Sequence, residues 1–259
     1  MAFVRKVALL SSPVVASFGW SHWAKLQREV PPESTAFPVG STDDIIAESL
    51  KSGDIVLFTK NWRIQSPSVA ALTYLKRQLY GCRFDHCGII VADRFGVPHV
   101  AEVTGQGILM RPYDTRISWS KSLEVAVVPV GLSSPPEEAR VKLERYVKAQ
   151  TPERTLKEQK PFDSFLYEAL ALYKLYRCRQ DKGPEFMGPA MLASRQAAFV
   201  AEGLGKLGVI DIEKLQKGDK ELHPALLTTN HLLEKKLPLE GGLEYGPERL
   251  IRRANKYAV

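Results

Sequence analysis

Four short apolar segments follow one another between residues 86 and 130, and the first three are separated only by turn-forming stretches. The segments cover residues 86–92, 98–103, 107–111 and 123–130. The turns at 93–96 and 104–107 are too short to hold a crossover helix, which a parallel pair of strands would need. The spacing therefore predicts an antiparallel meander that the fourth segment completes.

Helical spacing of apolar residues recurs on both sides of this meander. A strand at 53–58 is preceded by a short helix that ends at Leu50 and is followed by a helix over 68–79. Further helices are expected at 137–149, 162–177 and 190–208, and Gly208 closes the last of them as its C-cap. The order predicts an α+β domain, with a short antiparallel β-sheet flanked by helices.

Three of these segments carry motifs in a recognisable order. Gly-Asp-Ile-Val at 53–56 precedes Phe-Asp-His-Cys-Gly-Ile-Ile-Val at 84–91, and Glu102 then falls near the end of the next strand. The series resembles the circularly permuted branch of the NlpC-type papain-like superfamily, which includes bacterial cell-wall hydrolase relatives and the lecithin-retinol acyltransferase group. The resemblance covers about residues 49–210 and implies a papain-like fold in which the histidine precedes the cysteine.

The resemblance also assigns catalytic positions. His86 matches the general base and Glu102 the residue that orients its ring, but the cysteine position, counted back from Phe199, falls on Gln196. An amide cannot replace a thiol that a helix N-terminus and an imidazole acidify. Ser194 would point away from the histidine, because two residues turn a helix by roughly 200°. The resemblance thus implies a vestigial site with no cofactor and no small-molecule substrate.

The cysteines leave an alternative open. Cys87 follows His86 directly on a strand, so its side chain should take the opposite face and pack as a small apolar group. Cys82 and Cys178 are candidates for a relocated nucleophile, which would make the chain an active thiol hydrolase or acyltransferase. Three cysteines do not form a disulfide framework, and neither they nor the histidines have metal-site spacing. A reducing compartment and no metal are expected.

The first 48 residues form a basic extension. Residues 1–28 contain four basic residues and no acidic one, which is the composition of a mitochondrial transit peptide. The apolar stretch over 7–20 is interrupted by serines and a proline and is too broken to span a bilayer. The extension is therefore expected to be transit-like, whether cleaved or retained, or to be an arm that binds a partner, and the predicted location is mitochondrial.

The charge balance of the whole chain agrees with a role in binding. Lys and Arg number 36 against 29 Asp and Glu, a net charge of +7, and basic residues are denser near both ends: Arg5, Lys6, Arg249, Arg252, Arg253 and Lys256. Protein neighbours in a larger complex are the expected partners, and an anionic membrane or RNA could also contact these basic termini.

The sequence therefore predicts three parts and one favoured function. The parts are the extension (1–48), a permuted NlpC-like domain (49–215) and a tail (216–259) that packs on the domain or on partners. The expected function is that of a catalytically inactive homologue, used as a structural or interaction subunit of a mitochondrial multiprotein assembly. A lipid or peptide binder in the vestigial cleft is a further alternative.

Overall fold

The structure is a computed structural model, and it describes residues 2–32, 34–80, 84–104, 107–150, 195–211, 239–240 and 243–252. The predicted helix at 162–177 and the first residues of the predicted helix at 190–208 lie outside these ranges. Six α-helices, six strands and one 3₁₀ turn are described: α1 (Ala2–Glu29), α2 (Thr42–Ser49), β1 (Ile55–Thr59), the 3₁₀ turn (Trp62–Ile64), α3 (Pro67–Tyr80), β2 (His86–Ala92), β3 (Pro98–Thr104), β4 (Gly107–Pro112), α4 (Tyr113–Ser118), β5 (Glu124–Val128), α5 (Pro136–Gln150), α6 (Arg195–Lys206) and β6 (Arg249–Arg252).

The strands form one antiparallel sheet in the order β4-β3-β2-β1-β5-β6. Helices flank this sheet, so the predicted α+β class is confirmed. The segment bounds follow the sequence closely, since β2 spans the predicted residues and α2 begins after the N-cap Ser41, whose hydroxyl accepts a hydrogen bond from the Asp44 amide at 3.2 Å. Gly208, two residues after the end of α6, adopts φ +72°, as expected of the glycine that closes a helix.

The predicted four-strand meander is wrong in its last step. β2, β3 and β4 form a meander, but β5 pairs with β1 and not with β4. The unpredicted helix α4 carries the chain back over the sheet between β4 and β5. Beside β1, the alternate residues of β5 reach both cores, since Ala126 and Val128 belong to the cluster on one face of the sheet and Val125 and Val127 to the cluster on the other.

The two faces of the sheet have different covers. On one, the α6 face, Leu143 of α5 and Val200 and Leu204 of α6 belong to the same buried cluster as Ile89 of β2. On the other, the α4 face, residues of α2 and α4 pack against β1, β2 and β3, and this second core comprises Ile46, Leu50, Val56, Phe58, Ile90, Val100, Tyr113, Ile117, Val125 and Val127. Because α2 supplies Ile46, part of the segment assigned to the extension contributes to the core.

The ends of the described chain both return to this domain. The second half of α1 lies against the 3₁₀ turn, where Ala24 is fully buried. At the other end, Tyr245 forms an isolated antiparallel bridge with Val130, and β6 then pairs with β5. Among the helices that the structure describes, none is long and apolar enough to cross a membrane.

Candidate functional site

His86 and Glu102 meet on the α4 face of the sheet. His86 begins β2 and Glu102 lies within the adjacent strand β3, and the imidazole Nε2 lies 2.6 Å from a carboxylate oxygen. Gly88 makes room for this contact, since a Cβ there would lie 2.8 Å from Val100 Cγ1 and 3.0 Å from the Ala101 carbonyl oxygen. The structure thus brings together the two residues that the sequence assigned to the base and to its orienting partner.

Two arginines also bind the same carboxylate. Arg116 of α4 donates from Nε to Glu102 Oε1 at 2.5 Å and from Nη2 to Oε2 at 2.9 Å. Arg111 of β4 donates from Nη2 to Oε1 at 2.5 Å. Glu102 is 0% exposed, so its charge depends on these partners in place of water. Burial alone would raise the pKa of Glu102, but hydrogen bonds from His86 and Arg116 hold it well below its usual range.

The ring of His86 is neutral. Burial first, and then the positive charges of Lys60 and Arg116, lower its pKa to about 4 against the opposing effect of Glu102. The short contact with Glu102 has the geometry of an ion pair, yet two guanidinium groups already neutralise that carboxylate. The proton of the neutral ring is therefore on Nε2, which donates a hydrogen bond to Glu102. Nδ1 then carries no proton and can only accept a hydrogen bond. This buried Nδ1 has no hydrogen-bond partner in the described part of the chain.

Aromatic packing closes the site from the side of α4. The guanidinium of Arg116 lies over the Phe58 ring at 4.2 Å from its centroid, and the same ring lies 5.6 Å from the imidazole of His86. Only 13% of the Arg116 side chain is exposed. His86, Glu102 and Arg116 are therefore packed together as a buried polar network, which Arg111 joins with a side chain that is 41% exposed.

A second ion pair anchors the start of β2. The Arg77 guanidinium of α3 binds the Asp85 carboxylate, with Nε donating at 2.9 Å. The other carboxylate oxygen accepts from the Lys60 amide at 3.0 Å, and Arg77 also donates to the Lys60 carbonyl oxygen at 2.5 Å. These bonds join α3, the end of β1 and the residue before His86, so they fix where the imidazole is placed.

The predicted nucleophile position lies in a different layer. Gln196 is half-buried in the first turn of α6, and the apolar stripe of that helix packs on the α6 face. Cys87 also faces that side, as its alternation with His86 predicted; it is fully buried, and burial raises the pKa of its thiol. Cys82, Cys178 and Ser194 lie outside the described residues.

Sequence reasoning missed both arginines of the cluster. The sequence did hold a signal for Arg111, because β3 and β4 are joined by a short turn that sets their register. In that register Glu102 pairs with Leu109 and Val100 pairs with Arg111. Alternation then places Arg111 on the same face as Glu102. No pattern marked Arg116, since α4 itself was not predicted.

A surface cavity of about 510 Å³ lies near the other end of β2, between the β2–β3 turn and α5. Its charged groups are occupied within the chain: Arg140 binds Glu137 and Glu144, and the Asp93 carboxylate accepts from the Phe95 and Val97 amides. Within the described ranges, no group of three or more His, Cys, Asp and Glu side chains is arranged to hold a metal ion.

Comparison with known proteins gives little. No family model matches the chain, and no curated protein matches it. Among solved structures, one match is the crystal structure of the metalloprotein yiiX from Escherichia coli O157:H7, described as DUF1105. The two sequences are 14% identical, the match covers 77% of this chain and 97% of that chain, and the TM-score is 0.37.

Proposed function

We propose that the chain is a catalytically inactive homologue of the NlpC-type papain-like enzymes, used as a structural or interaction subunit of a mitochondrial multiprotein assembly. One observation carries the proposal. The imidazole of His86 is buried, and the carboxylate beside it is already bound by Arg111 and Arg116.

The chemistry of thiol enzymes explains why this matters. Their nucleophile is a thiolate, which an adjacent imidazolium stabilises. In this chain the surroundings of His86 oppose the imidazolium, because burial and two nearby cations lower its pKa to about 4. At neutral pH the ring is therefore suited to joining β2, β3 and α4, and it is poorly suited to stabilising a thiolate.

The positions of the described thiol and of Gln196 support the same proposal. Cys87 faces the opposite side of the sheet from His86, in an apolar core that disfavours its thiolate. Gln196 stands where the resemblance expects the nucleophile, and a carboxamide cannot form an acyl-enzyme. Neither Cys87 nor Gln196 is therefore suited to act as the nucleophile beside His86.

The role as a subunit rests on the surface and charge of the chain. A net charge of +7 suits acidic neighbours, and large apolar side chains on α1 are solvent-exposed, Phe18 by 73% and Leu26 by 51%. The mitochondrial location rests on the composition of residues 1–28, which hold four basic residues and no acidic one.

Activity is tested by labelling the full-length protein with an acyl probe that reacts with activated thiols. We expect the wild type, H86Q and the control C87S to take up the same background amount, because His86 activates no thiol. A label that disappears in H86Q and maps to Cys82 or Cys178 would establish the relocated nucleophile and overturn the inactive assignment.

The assembly is tested by gradient sedimentation of gently solubilised mitochondria. We expect the chain in a particle far larger than its own 28.9 kDa. Migration at the mass of the free chain contradicts a role as a subunit, and absence from the mitochondrial fraction contradicts the proposed location.

A further inference from the structure

We infer that residues 34–37 form a strap that holds α4 as a closed lid over His86 and Glu102. The strap belongs to the N-terminal extension, so the extension controls whether solvent reaches this pair. The inference goes beyond the proposed role as a subunit, because it concerns how the polar cluster is closed and opened. Its basis is that α4 contacts the pair on one side and the strap at both of its ends.

The side of α4 that faces the sheet closes the pair off from solvent. Arg116, in the middle of α4, donates to both oxygens of the Glu102 carboxylate, and its guanidinium lies over the Phe58 ring beside His86. Under this cover His86 is 5% exposed and Glu102 is fully buried. Both side chains would therefore gain contact with water if α4 moved away from the sheet.

The helix α4 has little stability of its own. It has six residues, and its N-cap, Pro112, makes no side-chain hydrogen bond. Isolated helices shorter than about 12 residues are marginally stable in water, so α4 depends on its contacts with the rest of the chain. On the sheet side these contacts come from the buried residues Tyr113 and Ile117 and from Arg116. An element of this kind can open locally while the core stays folded.

The strap supplies contacts at both ends of α4. At the last helical residue, the Ser118 hydroxyl donates to the Thr35 carbonyl oxygen at 3.1 Å. At the first, the Phe37 ring packs edge-on against the Tyr113 ring, with 6.0 Å between the two centroids. Phe37 also packs against the second core, in which Tyr113 is buried. Release of the strap therefore removes a contact at each end of α4.

The strap lies between two helices that are themselves attached to the domain. After the strap, the Gly40 amide donates at 2.7 Å to the carboxylate of Asp44 in α2, and Ile46 of that helix is buried in the second core. Before the strap, α1 is attached to the 3₁₀ turn, where the Trp20 indole donates to the Arg63 carbonyl oxygen at 2.8 Å. These attachments hold the strap in place, so it can restrain α4.

Hydrogen exchange of the full-length protein tests the lid, with rates read by mass spectrometry on peptides from α4, β2 and β3. In the wild type we expect the α4 amides to exchange faster than those of the two strands, because the lid opens while the sheet stays folded. Phe37→Ala should raise the α4 rates by roughly tenfold, and Phe37→Leu, which keeps an apolar side chain, by about threefold. The matched control is Val39→Ala, since Val39 is 99% exposed beside the strap, and it should leave the rates unchanged.

A second measurement follows His86 directly. Diethyl pyrocarbonate modifies a neutral imidazole that it can reach, and peptide mapping gives separate rates for His86 and for His99, a reference ring near the β2–β3 turn. We expect slow modification of His86 in the wild type and an increase in F37A by the same factor as the exchange of α4. The rate of His99 should equal that of the wild type in all variants.

Three results would overturn the inference. Equal α4 rates in F37A and V39A would show that the strap does not restrain α4. Equal protection of α4 and of the two strands in the wild type would show that α4 opens only when the whole domain unfolds. Faster exchange of α4 in F37A with an unchanged His86 rate would show that α4 is not the cover of His86. None of these results bears on the role as a subunit, which sedimentation of the wild type decides separately.

Discussion

Glu102 is the residue on which the polar cluster depends. It is fully buried and holds Arg111, Arg116 and His86 together through both carboxylate oxygens. We expect Glu102→Gln to lower the free energy of unfolding by about 3 kcal/mol or more, because removing one member of a buried charge network leaves the other charges uncompensated.

Urea denaturation measures this effect, and Glu144→Gln is the matched control. Glu144 is partly exposed and pairs with Lys148 and Arg140, each four residues away on α5, and pairs at this helical spacing contribute less than about 1 kcal/mol. Equal losses for E102Q and E144Q would contradict the central role of the buried carboxylate.

The cluster should also make stability depend on pH in the acid range. The pKa of His86 falls from 6.5 to about 4 on folding, and that of Glu102 falls below 4.5. The unfolded chain therefore binds more protons than the folded one, so stability is lost as pH falls. His86 contributes roughly 3 kcal/mol of that loss between pH 6.5 and 4, and Glu102 adds to it below pH 4.5.

Denaturation midpoints measured across this range check the prediction. H86Q should show a shallower decline between pH 6.5 and 4, whereas H99Q, which alters an exposed ring near the β2–β3 turn, should retain the slope of the wild type. An unchanged slope in H86Q would show that the decline arises elsewhere.

The contact between His86 and Glu102 was predictable because it needs only alternation along two strands joined by a short turn. Arg111 and Arg116, which bind the same Glu102 carboxylate, were harder to predict. Arg116 enters from α4, which has six residues and no side-chain hydrogen bond at its N-cap. The sequence therefore predicted a vestigial base with its orienting carboxylate, and the structure surrounds that pair with cations that suppress the imidazolium.

At the level of the elements, β2 and β3 approach closely only because Gly88 has no side chain. An added Cβ would lie 2.8 Å from Val100 Cγ1 and 3.0 Å from a backbone oxygen, which is closer than such atoms normally approach. We expect Gly88→Ala to cost about 1–3 kcal/mol of stability through overpacking, as measured by thermal unfolding.

Gly19→Ala is the matched control for that substitution. Gly19 lies within α1 with no atom near its missing Cβ. Because Ala favours a helix over Gly, G19A should be neutral or should raise stability by up to about 1 kcal/mol. If G88A is as mild as G19A, β2 and β3 are not packed as tightly as described.

The helices and strands differ in how well the sequence predicted them. Helices with capping residues and strands with tight turns were predicted within one or two residues of their bounds. The pairing of β5 was not, because strands that are adjacent in sequence usually pair, whereas β5 crosses back over the sheet to pair with β1. Likewise, composition indicated a basic N-terminal segment, but the side of α1 that docks depends on carbonyl groups near residue 63.

At the scale of the whole molecule, residues 243–252 are packed on the domain and should belong to its single cooperative unfolding unit. Residues 243–252 contact residues that are distant in sequence: the Glu244 carbonyl oxygen accepts from the Gly131 amide at 3.0 Å, and the Gly246 amide donates to the Pro129 carbonyl oxygen at 2.7 Å. β6 then covers the edge of β5 that would otherwise be open to pairing with another chain. These contacts predict that residues 243–252 and the domain unfold together.

Tyr245 allows this prediction to be tested with a single side chain. It is 8% exposed and belongs to the main core cluster. Tyr245→Ala should remove about 3 kcal/mol of packing free energy and shift one unfolding transition, seen alike by far- and near-ultraviolet circular dichroism. Tyr245→Phe should be neutral or slightly stabilising, because the buried hydroxyl has no hydrogen-bond partner among the described residues. If Y245A showed a separate transition at lower temperature and an unchanged main unfolding transition, residues 243–252 would unfold independently of the domain.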